Sequence, residues 1–176
     1  MITTASMTSP SIHLNLSAQT WRYTPSSPSP PSPSESPILT FHKHLPFYTL
    51  TPLHSLPTLA SELNLSHVLV KDESSRFGLP AFKILGASWT LYRAVCDHLD
   101  LAPLSPETLE AGALGRIARE KGLVGFKVVT TTEGNWGRAM AKMGLYFGVD
   151  VVVYVPGHMV EGTRELIRGE GAEVGE

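Results

Sequence analysis

Residues 126–155 read FKVVTTTEGNWGRAMAKMGLYFGVDVVVYV, and this stretch decides the fold class. It begins with the apolar run Phe126–Thr130, continues through a helical pattern from Asn135 to Phe147, and ends in the fully apolar run Val151–Val155. Two short β-branched runs that enclose a helix are typical of parallel strands joined by a crossover helix. The stretch therefore predicts an α/β fold.

The alternation of strands and helices continues on both sides of this unit. The other predicted elements are a strand at His67–Lys71 and helices at Lys83–Leu99, Ser105–Lys121 and Val160–Arg168. Strands that are apolar throughout predict a parallel sheet covered by helices on both faces.

The last residues, Gly171–Glu176, read as the approach to a further strand, but no strand follows in the sequence. The Val151–Val155 strand would then lack a neighbour that the pattern requires. We therefore expect the sequence to be the front portion of a longer protein. The alternative is a small complete α/β domain whose last helix packs on an edge.

Composition divides the chain into two parts. Between Thr24 and Pro37, six of fourteen residues are proline and six are serine, which predicts an extended insert that cannot bury a core. All 15 glycines lie at Gly78 or later. We expect an N-terminal segment, residues 1–37, and a packed body, residues 38–176.

Charge and hydropathy exclude several classes of function. The 14 basic and 16 acidic side chains give a net charge of −2, which argues against a nucleic-acid partner. No stretch approaches the roughly 20 apolar residues of a membrane span, and the N-terminus lacks a secretory pattern. A single cysteine, Cys96, fits a reducing compartment. His42 and His44 could ligate a metal, but no further ligand completes a set, so we expect no metal and a cytoplasmic protein.

Lys83 is the first residue with unusual surroundings. It lies in the first turn of a predicted helix, between Phe82 and Ile84. The helix dipole and an apolar wall both disfavour an ammonium group, so this position predicts a lowered pKa and an amine suited to Schiff-base chemistry. The alternative is a lysine that reaches the surface from a helix start.

The second candidate is the segment Thr130–Arg138, which joins a strand end to a helix start. Free backbone N–H groups at such a junction can bind an anion, and ligands of open α/β sheets bind at the carboxyl ends of the strands. The segment contains neither a dinucleotide fingerprint nor a phosphate-binding loop.

Together the two segments resemble a known family. The run Ser-x-Phe-Gly-x-x-Ala-Phe-Lys-x-x-Gly at Ser75–Gly86, followed by Glu-Gly-Asn-x-Gly-Arg at Glu133–Arg138, resembles the pyridoxal-phosphate enzymes of the tryptophan-synthase-β type (fold type II). Within that family the chain is most similar to the N-terminal part of the diaminopropionate ammonia-lyases. The similarity begins near Thr51–Leu53 and extends to the last residue.

The resemblance implies roles for particular residues. Lys83 would hold pyridoxal phosphate covalently and later remove the α-proton of the substrate. Asn135 would hydrogen-bond the ring hydroxyl of the cofactor, and the loop would receive the carboxylate of a small amino-acid substrate. The loop residues concerned are Thr131, Thr132 and Gly134. The family's lyases convert 2,3-diaminopropionate to pyruvate and ammonia, and we expect a homodimer at full length.

Two departures from the family pattern affect these expectations. Glu133 stands where the family has an aspartate that serves as the base for the D-substrate, and a base displaced by about 1 Å can lose on the order of 100-fold in rate. The glycine-rich loop that binds the cofactor phosphate lies beyond Glu176 in the family, so we expect the chain by itself to be inactive. A threonine or serine dehydratase, or a non-catalytic paralogue that acts as an interaction module, remains an alternative.

Overall fold

The computed structural model describes residues 36–176. Residues 1–35, which include most of the Ser/Pro-rich insert, lie outside the described residues. The α-helices are α1 (Pro37–His44), α2 (Pro57–Glu62), α3 (Lys83–His98), α4 (Pro106–Leu109), α5 (Ala113–Glu120), α6 (Asn135–Phe147) and α7 (Glu161–Gly169). The strands are β1 (Leu53–Ser55), β2 (Leu69–Lys71), β3 (Lys127–Thr131), β4 (Asp150–Tyr154) and β5 (Glu173–Gly175).

A three-stranded parallel sheet in the order β3-β4-β5 forms the centre of the fold. The parallel α/β prediction is therefore confirmed. The expectation that no strand follows α7 is wrong, because Val174 pairs with Val153 and makes β4 the central strand. Three residues suffice for this pairing, although they are too few to show a strand pattern in the sequence.

The first predicted strand does not belong to this sheet. β2 pairs antiparallel with β1 in a separate two-stranded sheet, with Leu53 opposite Lys71. Every residue of both strands is exposed. An alternating or apolar run shows that a segment is extended, but it does not show which strand becomes its neighbour.

The crossover helices α6 and α7 both lie on one face of the sheet. A Cβ added at Gly144 of α6 would lie 2.3 Å from Cγ2 of Val151, and one at Gly137 would lie 3.3 Å from Cδ1 of Ile167 in α7. On the opposite face, Val129 is 60% exposed and Tyr154 is 44% exposed. Within residues 36–176 the sheet thus differs from the expectation of helices on both faces.

A helical layer outside the sheet brings the two candidate segments together. α3 packs along α6, and α1 packs on α3 through the fully buried Phe41. The ring of Phe41 lies 4.7 Å from that of Tyr92 and 6.4 Å from that of Phe147, centroid to centroid. This aromatic cluster holds the Lys83 helix against the Asn135 helix.

The predicted helix Ser105–Lys121 is interrupted. It forms as α4 and α5, with Gly112 between them in the left-handed region at φ 73°. The N–H of Gly112 donates to the carbonyl of Tyr146 at 2.7 Å, and a Cβ at Gly115 would lie 1.7 Å from the carbonyl oxygen of Gly148. Close packing on the end of α6 therefore breaks a helix that the local pattern predicts as continuous.

No helix within residues 36–176 combines the length and the apolar character that a bilayer span requires.

Candidate functional site

A cavity of about 330 Å³ opens at the carboxyl ends of β3 and β4. One wall is the end of β3 with the loop that follows it, and the other is the end of β4. The lining residues are Thr131, Thr132, Glu133, Tyr154, Val155 and Pro156. Three of the predicted loop residues thus line one cavity, whereas Lys83 and Asn135 are not part of its lining.

Two N–H groups of the loop after β3 already donate to acceptors within the chain. Thr132 donates its N–H to the carbonyl of Tyr154 at 3.1 Å, and Gly134 donates its N–H to Oγ1 of Thr132 at 3.2 Å. Within residues 36–176, the N–H groups of Glu133 and Asn135 donate no hydrogen bond. These two donors, rather than those of Thr132 and Gly134, remain available for a carboxylate.

Gly137 allows α6 to begin close to this loop. A Cβ at this position would lie 2.5 Å from Cγ2 of Thr132 and 3.0 Å from Cγ1 of Val153. The contact with Thr132 is shorter than real Cβ atoms make, so a larger residue at position 137 would force a neighbouring group to shift. The second glycine of the Glu133–Arg138 motif is therefore explained by packing.

Asn135 is the first residue of α6, and its side chain is exposed. The neighbouring Trp136 is half-buried, and its indole Nε1 donates to Oγ1 of Thr130 at 3.1 Å. A Cβ added at Gly86 of α3 would lie 3.7 Å from Cζ3 of the same indole. Trp136 thus contacts the helix that begins at Lys83.

Lys83 is the first residue of α3 and is exposed. Phe82, beside it, is 64% exposed, while Ile84 is completely buried and fixes the start of the helix in the core. Lys83 forms no ion pair with any residue between 36 and 176, in contrast to Lys127 and Lys142. The sequence predicts an apolar wall around this amine, but the structure presents it to solvent.

A buried ion pair anchors the loop that leads to Lys83. The Arg76 guanidinium contacts the Glu73 carboxylate through Nε at 2.5 Å and Nη2 at 2.7 Å. Arg76 also donates to the carbonyl of Thr49 at 2.7 Å, and the hydroxyl of Thr51 donates to Glu73 at 2.6 Å. These contacts lower the pKa of Glu73 to about 2, chiefly through the hydrogen bond from Arg76. The same hydrogen bond raises the pKa of Arg76.

The turn after this ion pair requires two residues in the left-handed region. Phe77 has φ 52° and Gly78 has φ 72°. Such a conformation is costly for an aromatic residue, but the Phe77 ring is buried and packs edge-on against Phe47 at 4.9 Å between centroids. Burial of the ring thus stabilises the turn from which α3 starts.

Arg138 of the second motif serves a structural role. Its guanidinium donates to Glu170 at the end of α7 at 2.8 Å, and Lys142, one turn later, lies 3.7 Å from the same carboxylate. A Cβ at Gly78 would lie 3.3 Å from Nζ of Lys142. This cluster joins α6 to α7 and to the turn before Lys83, and no local sequence signal pairs these residues.

The wall formed by the end of β4 was missed by sequence reasoning. The loop after it is held by Arg164, a buried residue of α7 that donates to the carbonyls of Gly157 at 2.9 Å and Met159 at 3.1 Å and pairs with Glu176. The Pro156-Gly157 pair directly after an apolar strand is a signal that could have drawn attention to this loop.

The remaining candidates lie away from the cavity. His42 is buried against α3, where its Nε2 lies 3.0 Å from the carbonyl of Leu85 and 3.1 Å from the hydroxyl of Ser88, and burial lowers its pKa. Residues 36–176 contain no group of three His, Cys, Asp or Glu side chains placed to hold a metal ion. Cys96 is buried, and burial raises the pKa of its thiol.

Comparisons with known proteins agree with the two motifs. Residues 45–176 match the protein family described as pyridoxal-phosphate dependent enzyme. The chain is 39% identical over 136 residues to the diaminopropionate ammonia-lyase of Salmonella typhimurium, an alignment that covers 77% of this chain and 33% of the relative.

Solved structures give the same result. The chain is similar to the Escherichia coli diaminopropionate ammonia-lyase in complex with D-serine, with a TM-score of 0.63 and 34% identity over 78% of this chain and 34% of the other. A threonine deaminase from Solanum lycopersicum matches with a TM-score of 0.50 and 20% identity over 78% and 33% of the two chains, which shows a common fold alone. The chain spans about a third of the length of the relatives that it matches.

Proposed function

Because the chain belongs to the pyridoxal-phosphate dependent enzyme family, we propose that it forms part of a lyase that acts on 2,3-diaminopropionate. In that reaction one molecule each of 2,3-diaminopropionate and water give pyruvate and two molecules of ammonia. The observation that carries the proposal is the placement of the two family motifs. They begin two helices, α3 and α6, that pack against each other, and α6 directly follows the loop that lines the cavity.

Two of the described residues fit the cofactor. Lys83 offers an exposed amine that has no ion pair within the described part of the chain. Asn135 offers an exposed amide at the start of the neighbouring helix, where it could meet the ring hydroxyl of pyridoxal phosphate. When bound, this cofactor supplies an electron sink that stabilises negative charge at the α-carbon of an amino acid.

The chain's own residues then divide the remaining tasks. The N–H groups of Glu133 and Asn135 receive the substrate carboxylate, supported by the positive end of the α6 dipole. The Thr131 and Thr132 side chains form the wall beside it. Lys83 takes up the proton that leaves the α-carbon of the L-substrate.

Glu133 is the candidate base for the D-substrate. Its carboxylate is exposed and lies in the lining of the cavity, on the loop that precedes α6. A base for the opposite enantiomer must approach the α-carbon from the other face. Glu133 belongs to a different segment of the chain from Lys83, which makes it the candidate for that face. The side chain of Glu133 is longer than that of the family's aspartate. Either the D-substrate binds in a shifted position, or its reaction is slower.

Sequence identity favours 2,3-diaminopropionate over the substrates of the dehydratases. The chain is 34% identical to the Escherichia coli diaminopropionate ammonia-lyase and 20% identical to the tomato threonine deaminase over similar shares of its length. A homodimer and a cytoplasmic location belong to the same proposal. They rest on the resemblance and, for the location, on the single buried thiol of Cys96.

The test is a trapping experiment on a chimera that carries residues 45–176 in the Escherichia coli lyase, which supplies the remaining two thirds of the enzyme. Pyridoxal phosphate is added, borohydride fixes it on whichever amines it has reacted with, and peptide mass spectrometry compares the lysines of residues 45–176. We expect Lys83 to be modified several-fold more than Lys121, an exposed lysine at the end of α5. Lys83→Arg, which keeps the charge, should lose the preferred adduct. Even modification of the lysines of residues 45–176 would refute the proposal.

A further inference from the structure

Trp136 contacts the strand end on one side and the Lys83 helix on the other. Its indole N–H donates to Oγ1 of Thr130 in β3 at 3.1 Å. The six-membered ring of the indole reaches α3, where Cζ3 would lie 3.7 Å from a Cβ added at Gly86. Gly86 lies three residues after Lys83, so both are on the same side of α3.

Both contacts are made to rigid parts of the fold. Thr130 pairs with Val153 of the central strand, and Val153 is completely buried. Ile84 and Ala87, which directly follow Lys83 and Gly86 in the sequence, are completely buried as well. The indole therefore lies between two elements that cannot easily shift, and it has a single N–H donor with a single partner.

We propose that Trp136 is a positioning residue, which sets the separation between the start of α3 and the start of α6 and so aligns the Lys83 amine with Asn135. The inference rests on the proposed function, because it concerns how two residues of that site face the same ligand. Trp136 itself acts through Asn135, its neighbour in the chain.

The residue's size and its hydrogen bond have separable effects. Trp136→Phe keeps an aromatic ring but loses the N–H donor. Thr130→Val removes the acceptor and leaves the indole in place, whereas Thr130→Ser keeps a hydroxyl. If the bond to Thr130 fixes the ring, Trp136→Phe and Thr130→Val should have similar effects, and Thr130→Ser should resemble the wild type.

The experiment measures the ratio of trapped cofactor at Lys83 to that at Lys121, which cancels general changes in lysine reactivity. We expect Trp136→Phe and Thr130→Val each to lower this ratio about 2- to 10-fold, the range expected for one hydrogen bond. Trp89→Phe is the matched control, because Trp89 is a half-buried tryptophan of α3 that packs on Phe41 instead. Urea unfolding confirms that each variant is folded.

An Asn135→Ala background separates positioning from a general structural role. If Trp136 acts through Asn135, Trp136→Phe should have no further effect on the ratio once Asn135 is alanine. An equal effect in both backgrounds, or an unchanged ratio in Thr130→Val, would overturn the inference while the preference for Lys83 in the wild type remains. Loss of that preference in the wild type would instead refute the proposed function and the inference with it.

Discussion

The ion pair before Lys83 should make the folded chain sensitive to acid. Glu73 accepts two hydrogen bonds from Arg76 and one from the hydroxyl of Thr51. The side chains of Arg76 and Glu73 are 7% and 16% exposed, so water screens the pair only weakly. The charge of Glu73 can be removed in two ways. Low pH protonates the carboxylate, and the substitution Glu73→Gln removes the charge but keeps the shape of the side chain.

The size of the effect follows from the pKa of Glu73. The folded state lowers it from 4.5 to about 2. A folded-state pKa below the unfolded one stabilises the protein above pH 4.5, and this stabilisation is lost as the pH falls toward 2. The difference corresponds to about 3 kcal/mol, close to the roughly 3–5 kcal/mol that is typical when one partner of a buried pair is removed.

Urea unfolding followed by circular dichroism at pH 7, 4.5 and 3 measures this contribution. Glu73→Gln should lower the free energy of unfolding by about 3 kcal/mol at pH 7, and its difference from the wild type should shrink steadily below pH 4.5. Asp72→Asn is the matched control, since the adjacent carboxylate is far more exposed and accepts from the N–H of Ser74. Parallel pH profiles for the wild type and Glu73→Gln would refute the reasoning.

Three other perturbations are informative. Gly137→Ala should destabilise the chain by about 1–3 kcal/mol in urea unfolding, because its Cβ would meet the loop at 2.5 Å; Gly162→Ala, whose Cβ would meet no described atom within 4 Å, should not. His42 has a lowered pKa, so stability should fall as the pH drops below about 6.5, and His42→Gln should remove that part of the pH dependence. In a chimera that carries residues 45–176 in the Escherichia coli lyase, Glu133→Gln should slow ammonia release from the D-substrate far more than from the L-substrate; equal losses would mean that Glu133 only helps to hold the carboxylate.

Much of the fold was predictable because its strongest patterns are local. The limits of α3 and α6 agree with the sequence to within a residue, since apolar residues at helical spacing and Gly148 in the left-handed region mark them. The pairing of β5 with β4 and the break at Gly112 were not predictable. Both depend on contacts between segments that lie far apart in the sequence, such as Gly115 against Gly148.

The candidate site was likewise predictable only in part. Lys83 and the loop before Asn135 could be found because family motifs are runs of neighbouring residues. The far wall of the cavity at Tyr154 could not, because it arises only when β3 and β4 lie side by side. The bond from Trp136 to Thr130 could not either, because it depends on how the loop turns between β3 and α6. The N–H groups that remain free to bind an anion also differ from the predicted ones. Those of Thr132 and Gly134 already donate to the carbonyl of Tyr154 and to the hydroxyl of Thr132.

The two motifs separate into residues that the fold explains and residues that it does not. Arg76, Gly137 and Arg138 each have a structural role in the form of an ion pair or a close packing contact. Lys83 and Asn135 have none within the described chain, and Lys83 begins a helix, where the dipole disfavours a cation. Residues that act against local preference without a visible structural gain are most often there for chemistry. We therefore propose that one ligand contacts both the amine of Lys83 and the amide of Asn135, at the starts of two packed helices.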